Sequence, residues 1–441
     1  MNKRVGLYWF TNDLRLNDNQ LLRLAAQQVD ELLCLYCLPK ISPFTHRYAQ
    51  EYSFGKAKQQ FIIESLWELG AELEKFGQKL IIATPKHAYI ELLSIIKRFG
   101  VTSLYCEHFS GSDEQKIVGQ LQRQLPDLEV FQQGNTTLFD EEQLPFSVEN
   151  LPTSFTQFRK LVEANIKPNK PYEWHGRLPP YPKHSPESVA LVYPSTLSSS
   201  YRGGLLSGEE HCAQYFSTRY PSYYKETRNA LDGQYETTKF SLWLAHGCLS
   251  PKIIYQHLQM YESKYGANES TYWIYFELLW REYFYWYAKR YEKALFSFTG
   301  ITQDKPLTSF YGQRFLAWKH GQTPFPIVNA CMNQLKATGF ISNRGRQLVA
   351  SCLVNELQLD WRYGAAYFET QLIDYDVASN WGNWQYLAGV GADPDPRGSR
   401  QFNLQKQTEL YDPENKFIQQ WQGDNGLSTM DDVDMVDWPV V

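Results

Sequence analysis

Short apolar runs alternate with longer periodic segments over the first third of the chain. RVGLYWF, ELLCLYCL, KLIIAT, SLYCE and LEVFQQ are strand-like, and residues 51 to 76 and 86 to 99 place apolar side chains at helical spacing between them. Strands that alternate with helices make βαβ units, so residues 1–130 are expected to form an α/β domain on a parallel doubly wound sheet. In such sheets ligands sit beyond the carboxyl ends of the strands. Neither a GxGxxG nor a P-loop pattern follows any of the five runs, so no dinucleotide fingerprint and no nucleotide cradle announces a ligand there.

The pattern then changes. Residues 131–199 are rich in Pro, Ser and Tyr (LPPYPKHSPES, VYPSTLSSSYRGG) with one helical stretch near Phe155 to Val162, and read as an interdomain linker. Residues 200–423 carry helical periodicity throughout and no alternating strand, which predicts an all-α second domain. From Asp424 the chain holds five Asp and no basic residue, the composition of a solvated tail (424–441).

Composition narrows the function classes. The 441 residues are 43% hydrophobic and 21% charged, with Lys+Arg 43 against Asp+Glu 48, as in ordinary globular proteins. The net charge of −5 argues against non-specific coating of nucleic acid but leaves room for a local basic groove. No signal peptide opens the chain and no apolar span of about 18 residues occurs, so a soluble, cytoplasmic protein is expected. Seven Cys give no disulfide framework; the close pair Cys34 and Cys37 lies in a strand-like run without a second cluster to complete a metal site, and no metal is expected. The aromatic share of 15% is high, and ten of the 13 Trp follow residue 240, which makes a ligand-lined interior plausible in the helical domain.

Three clusters there carry chemistry. Within the apolar segment from Tyr272 to Tyr291, Glu277, Arg281 and Glu282 must be paired or face a ligand, and Glu277 with Arg281 at i,i+4 is the structural alternative. Asn343, Arg344, Arg346 and Gln347 crowd a helix start, where two guanidiniums oppose the dipole and call for a carboxylate such as Asp374 or Asp376 nearby. Thr237, Thr238, Lys239 and Ser241 precede a helical run and suit a pyrophosphate, or serve simply as N-caps.

Together these motifs resemble the cryptochromes and DNA photolyases, most of all the cryptochrome DASH branch. The resemblance spans nearly the whole chain: YWFTNDLRLNDNQLL, YRGG, ETTKFSLWLAHGCLSP, FELLWREYF, TGFISNRGRQ, LDWRYGAAYFE, LIDYDVASNWGNWQYLAGVG and FNLQKQTELYDP, with AGVGADPDPR among the DASH-like marks. It implies a photolyase-type α/β domain, a helical FAD-binding domain, and a bent FAD surrounded by Tyr224, Arg228, Thr237, Thr238, Lys239, Phe240, Ser241 and Tyr375. Glu277 and Trp280 match positions that meet DNA and lesion, Arg281 one that borders the flavin, and Asn343 one that touches adenine and substrate. Arg346 and Asp374 match a salt bridge against the isoalloxazine, Asp376 its N3 edge, and Asn380 its N5, where a neutral amide can accept or donate. Trp280 and Tyr386 would wall the lesion site, with Glu277 or Gln347 for the pyrimidine carbonyls.

The implied activity is blue-light repair of cyclobutane pyrimidine dimers, single-stranded DNA being the expected partner, by electron transfer from excited reduced FAD to a flipped-out lesion. The alternative is a blue-light receptor that binds nucleic acid or a partner without turnover; a nicotinamide-dependent oxidoreductase would need a fingerprint that is absent. Lys239, Arg344, Arg397, Arg400 and Lys406 are candidate phosphate contacts, with surface solvation as their alternative. A monomer is expected. Three departures stand out. Trp384 and Trp361 match the first two members of the family's electron-transfer chain, but Thr308 stands at the third, with Phe310 and Tyr311 beside it. Phe109, counted back from Ser112, Asp113 and Glu114, replaces a Glu that binds the pteridine of methenyltetrahydrofolate, and Thr11 replaces an Arg. Losing that carboxylate removes charge-assisted bonds of about 1.5 to 3 kcal/mol each, so a folate antenna is expected to bind weakly, differently or not at all.

Overall fold

All five runs form strands, and the packing shows why the inner ones carry no polar alternation. The computed structural model describes residues 3–84, 88–108, 111–183, 188–191, 201–393 and 399–427. In it β1 (Val5–Phe10), β2 (Glu31–Cys37), β3 (Leu80–Ala83), β4 (Ser103–Glu107) and β5 (Glu129–Gln133) make one parallel sheet in the order β3-β2-β1-β4-β5. Successive side chains point to opposite faces, and both faces are covered. Leu7, Trp9, Leu33, Leu35 and Leu104 pack against the helices Ala88–Phe99 and Ser112–Gln124. Tyr8, Phe10, Cys34, Tyr36 and Tyr105 pack against the helices Gln20–Gln28 and Lys56–Lys75. This second core runs on without a break through Trp243, Leu278, Trp318 and Trp384, so the sheet and the helical domain share one apolar interior.

The strand order reverses between β1 and β4, the place where a doubly wound sheet opens its ligand crevice. Here the chain's own polar groups fill it. Arg15, fully buried, donates to the carbonyls of Gly247, Asp18 and Asn135. Tyr8 donates to Asp13, Asn135 donates to Asn19 (2.8 Å), and Thr136 donates to Glu107. Burial, and then Asp13, push the Glu107 carboxyl above its ordinary range. The same network ties the α/β domain to the helical one, since Arg281 donates to the Thr136 carbonyl.

The described residues of the 131–199 stretch are packed against both domains at several points. β5 continues to Gln133, past residue 130, and the helical stretch extends over Phe155–Asn165 with Phe158 and Val162 buried in the shared core. Val189 donates to the Ile82 carbonyl and Ser188 accepts from its N–H, both at 2.9 Å, which closes the β3 edge. Beyond residue 200 the described chain is helical, its β structure limited to a bridge between Ser309 and Leu359. The long helix Glu269–Tyr291 opens on a capping box of Asn268 and Thr271. Its buried Glu282 accepts from the backbone N–H groups of Leu138 (2.7 Å) and Phe139 (3.2 Å) and from the Trp286 indole (2.8 Å), so this charge is held by donors. Cys34 and Cys37 are free thiols like the other five, and among the described residues no group of His, Cys, Asp and Glu could hold a metal and no helix is long and apolar enough to cross a membrane. Most of the acidic tail, like Phe109 and Arg397, lies outside the described residues.

Candidate functional site

A cavity of ≈ 1440 Å³, counted out through its open mouth, lies in the helical domain. One wall is the helix Val377–Ala388. Asp376 caps it by accepting from Ser379 N–H at 2.7 Å, and Asn380 and Trp384, one turn apart, face inward. The Asn380 amide group donates to the Ala365 carbonyl at 3.0 Å, so Oδ1 is the atom left for the cavity. Beside it Asp374, nearly fully buried, accepts from Arg346 Nη2 at 2.9 and 2.7 Å and from Ser241 Oγ at 2.6 Å. Three segments distant in sequence thus meet on one carboxylate. Asn343 and Gln347 stand on the same helix as Arg346, and Tyr375 and Phe240 complete this side.

The opposite wall departs from the i,i+4 reading. Glu277 pairs with Arg228, whose guanidinium also lies 4.1 Å over the Trp273 ring, while Arg281 turns to the Thr136 carbonyl. Arg228 is nearer because the short helix Tyr224–Thr227 packs directly on the long one. Burial raises the Glu277 carboxyl, against the pull of Arg228. The expected helix start after Thr237 and Thr238 is a single turn, Ser241–Leu244, too short to gather a dipole. Lys239 lines the cavity, but its ammonium is held by the carbonyls of Gly233 and Gln234, and its backbone is left-handed at φ 52°. The hydroxyl-bearing Thr237 and Thr238 line the cavity beside it, with Tyr224 beyond.

Trp280 and Tyr386 stand outside this lining, edge to face at 6.0 Å between ring centres. Trp280 is stacked on Phe155 at 3.7 Å and 11°, and Tyr386 lies under the Arg400 guanidinium at 3.9 Å. Arg344 is held between the rings of Tyr411 (4.9 Å) and Phe402 (5.6 Å) and donates to Asn229 (3.1 Å); Lys406 is exposed. Trp384 meets Trp318 (6.3 Å) and Phe368 (5.2 Å), while buried Trp361 donates to the Phe298 carbonyl and meets Trp381 at 5.7 Å. Around Thr308, Phe310 stacks on Tyr363 at 4.1 Å, Arg314 covers the Tyr311 ring, and Thr308 Oγ is buried without a hydrogen-bond partner. Thr11 Oγ is likewise buried and unpartnered, Glu114 is raised by burial, and Asp113 pairs with exposed Lys116.

Sequence reasoning missed Phe155, Asp393, Trp318 and Gly364. Only Gly364 left a signal, a glycine inside a helical run. A Cβ there would lie 2.2 Å from Trp384 Cη2, so the position gives the indole its seat.

Two family models match the chain: DNA photolyase over residues 6–179 and the FAD-binding domain of DNA photolyase over residues 273–425. A cryptochrome DASH of Vibrio parahaemolyticus is 57% identical over 441 residues, covering 100% of this chain and 98% of that protein. The crystal structure of a Synechocystis cryptochrome superposes with a TM-score of 0.86 at 36% identity, covering 96% and 89% of the two chains. A class III photolyase from Agrobacterium tumefaciens gives 0.80 at 25% identity, covering 96% and 87%. The donor set fits FAD: hydroxyls and a guanidinium for a polar tail, apolar Leu244, Ile274 and Leu387 against a flat ring, and the Arg346–Asp374 pair and Asn380 amide at its edge.

Proposed function

We propose, from the premise that this chain belongs to the photolyase and cryptochrome family in its cryptochrome DASH branch, that it repairs cyclobutane pyrimidine dimers with blue light and takes them from single-stranded DNA. The observation that carries this reading is that one open cavity holds both the groups suited to a flavin (Ser241, Arg346, Asp374, Asn380) and a second polar set, Glu277, Asn343 and Gln347. A receptor without turnover has no use for the second set. Ser241, Arg346, Asp374 and Asn380 would hold FAD, which would supply the light-driven electron transfer that repair requires.

The residues around it bind and hold protons. Arg346 and Asp374 brace each other along one edge. Asn380 offers its carbonyl as an acceptor, so it would favour a ring nitrogen that carries hydrogen, as N5 does in reduced flavin. Glu277, its carboxyl raised by burial, and Gln347 are placed to meet pyrimidine carbonyls, with Trp280 and Tyr386 as aromatic walls at the rim. Among the described phosphate candidates few cations are free, which suits single strands better than a duplex groove. Lys239 is tied to carbonyls, Arg344 and Arg400 lie against aromatic rings, and exposed Lys406 remains for phosphate. Flipping also costs less without a complementary strand. The photolyase name of the Agrobacterium relative supports repair.

The test is turnover of a thymine dimer under blue light in single-stranded and duplex oligonucleotides, with the protein chemically reduced beforehand. Repair of single strands alone is expected. Equal repair of duplex would refute the strand preference, and no repair with reduced FAD bound would refute the enzyme.

A further inference from the structure

We propose that Phe155 and Asp393 are positioning residues that clamp the two aromatic walls of the lesion site, an inference that rests on the repair reading above. The two walls and these residues close a circuit. The Phe155 ring stacks flat on Trp280, 3.7 Å between centres and 11° between planes. Trp280 meets Tyr386 edge to face, and Tyr386 carries the Arg400 guanidinium on its face at 3.9 Å. Arg400 donates through Nη2 to the Asp393 carbonyl at 3.0 Å, and the Asp393 carboxylate accepts from the Phe155 backbone N–H at 3.3 Å. Each member therefore fixes the next, and the last fixes the first.

Both ends of the circuit are anchored. Phe158 and Val162, on the helix that Phe155 begins, are buried in the core, and Tyr283 donates to the carbonyls of Pro152 (3.2 Å) and Thr153 (2.9 Å) just before it. Asp393 has a left-handed backbone, φ 46°, unusual for a residue with a side chain and maintained only where surroundings hold it. Arg400 N–H is pinned to the Leu387 carbonyl at 2.9 Å, on the helix that carries Tyr386. The linker helix is thus part of the site's rim.

The consequence is a pre-ordered wall. Phe284, Tyr283 and Tyr386 also touch Trp280, but Phe155 is its nearest and flattest neighbour, so losing that ring loosens the indole and an incoming flat base would have to meet part of the ordering cost that the stack now meets. Phe155 and, less closely, Phe284 (5.5 Å, 28°) both stack on Trp280, so the indole is held as a fixed part of the rim that an incoming base meets.

The test uses the full chain with FAD bound, titrated with a single-stranded oligonucleotide carrying a thymine dimer and with the undamaged oligonucleotide. Phe155→Leu and Asp393→Ala should each weaken dimer binding about fivefold while leaving FAD content and undamaged-strand binding as they were. Phe155→Tyr, which keeps the ring, should bind within about twofold of the parent. Phe155→Leu that binds the dimer like the parent, or Phe155→Tyr that loses as much as Phe155→Leu, would overturn the clamp. Should Phe155→Leu not fold, Asp393→Ala carries the same comparison. A parent that shows no preference for the dimer would instead refute the repair reading. The clamp is then decided by near-ultraviolet circular dichroism, where the Trp280 contribution, defined against Trp280→Phe, must vanish in Phe155→Leu and survive in Phe155→Tyr. Its persistence in Phe155→Leu would overturn the proposal.

Discussion

Replacing Gly364 by Ala tests the packing behind the cavity with an effect opposite in sign to the ordinary one. Gly364 lies inside the helix Trp361–Gln371, where Gly→Ala at an open site gains about 1 kcal/mol of helix stability. Here the new Cβ would sit 2.2, 2.7 and 2.8 Å from three carbons of the Trp384 ring, about 1 Å inside ordinary contact. The indole cannot yield freely, because it is 2% exposed and flanked by Trp318 and Phe368. Overpacking of this kind costs about 3 kcal/mol at its upper end. Less the helix gain of about 1, the net expectation is a loss of about 2 kcal/mol. Urea unfolding of Gly364→Ala, Trp384→Phe and the double variant measures it. The smaller ring should make room for the methyl, so the two changes should be non-additive by at least about 1 kcal/mol. Because Trp384 lines the cavity, Gly364→Ala should also retain less FAD. A variant more stable than the parent, or strict additivity, would refute the packing account.

Further outcomes follow from the same geometry. Because Glu107 is raised by burial and by Asp13, the native state keeps a proton that the unfolded chain releases; its contribution to stability is full below about pH 4.5 and is lost as pH rises towards the folded value. Glu107→Gln should flatten that decline, whose slope is at most about 1.4 kcal/mol per pH unit, in unfolding measured from pH 4.5 to 8.5; an unchanged slope contradicts the assignment. Asp374→Asn leaves Arg346 and Ser241 facing a neutral acceptor and should weaken FAD retention about tenfold, read by equilibrium dialysis, whereas retention like the parent's would show that the pair does not shape the site. Asn380→Asp places a carboxylate where the amide carbonyl stood and should lower the midpoint potential of bound FAD; a higher potential would mean that this atom does not face the ring.

The α/β domain was legible because the inner strands β1, β2 and β4 are buried on both faces and so write nearly uninterrupted apolar runs, while the edge strand β5, EVFQQ, is partly exposed. That a carboxylate must stand near the two guanidiniums at the Asn343 helix start was legible, with Asp374 and Asp376 both open; the choice of Asp374 for Arg346 came from the resemblance. Partners that only the tertiary fold supplies were not legible. Glu277 could be matched locally with Arg281, but its partner Arg228 lies 49 residues away, and Arg281 reaches a carbonyl 145 residues away. The linker composition of residues 131–199 likewise hid the burial of Phe155 and Phe158, since Pro and Ser describe the turns and say nothing of what the one helix between them packs against. Lys239 looked like a phosphate ligand because its left-handed backbone, which turns the ammonium onto its own loop, leaves no trace in residue type.

Repair requires that a lesion be met within electron-transfer reach of the FAD that Ser241, Arg346, Asp374 and Asn380 would hold, and the fluorescence lifetime of the reduced, FAD-loaded chain tests this most directly. Single-stranded oligonucleotide carrying a thymine dimer should shorten that lifetime at saturation, and the undamaged strand should leave it as it was. A lifetime indifferent to the dimer, with the dimer shown to be bound, would contradict the account.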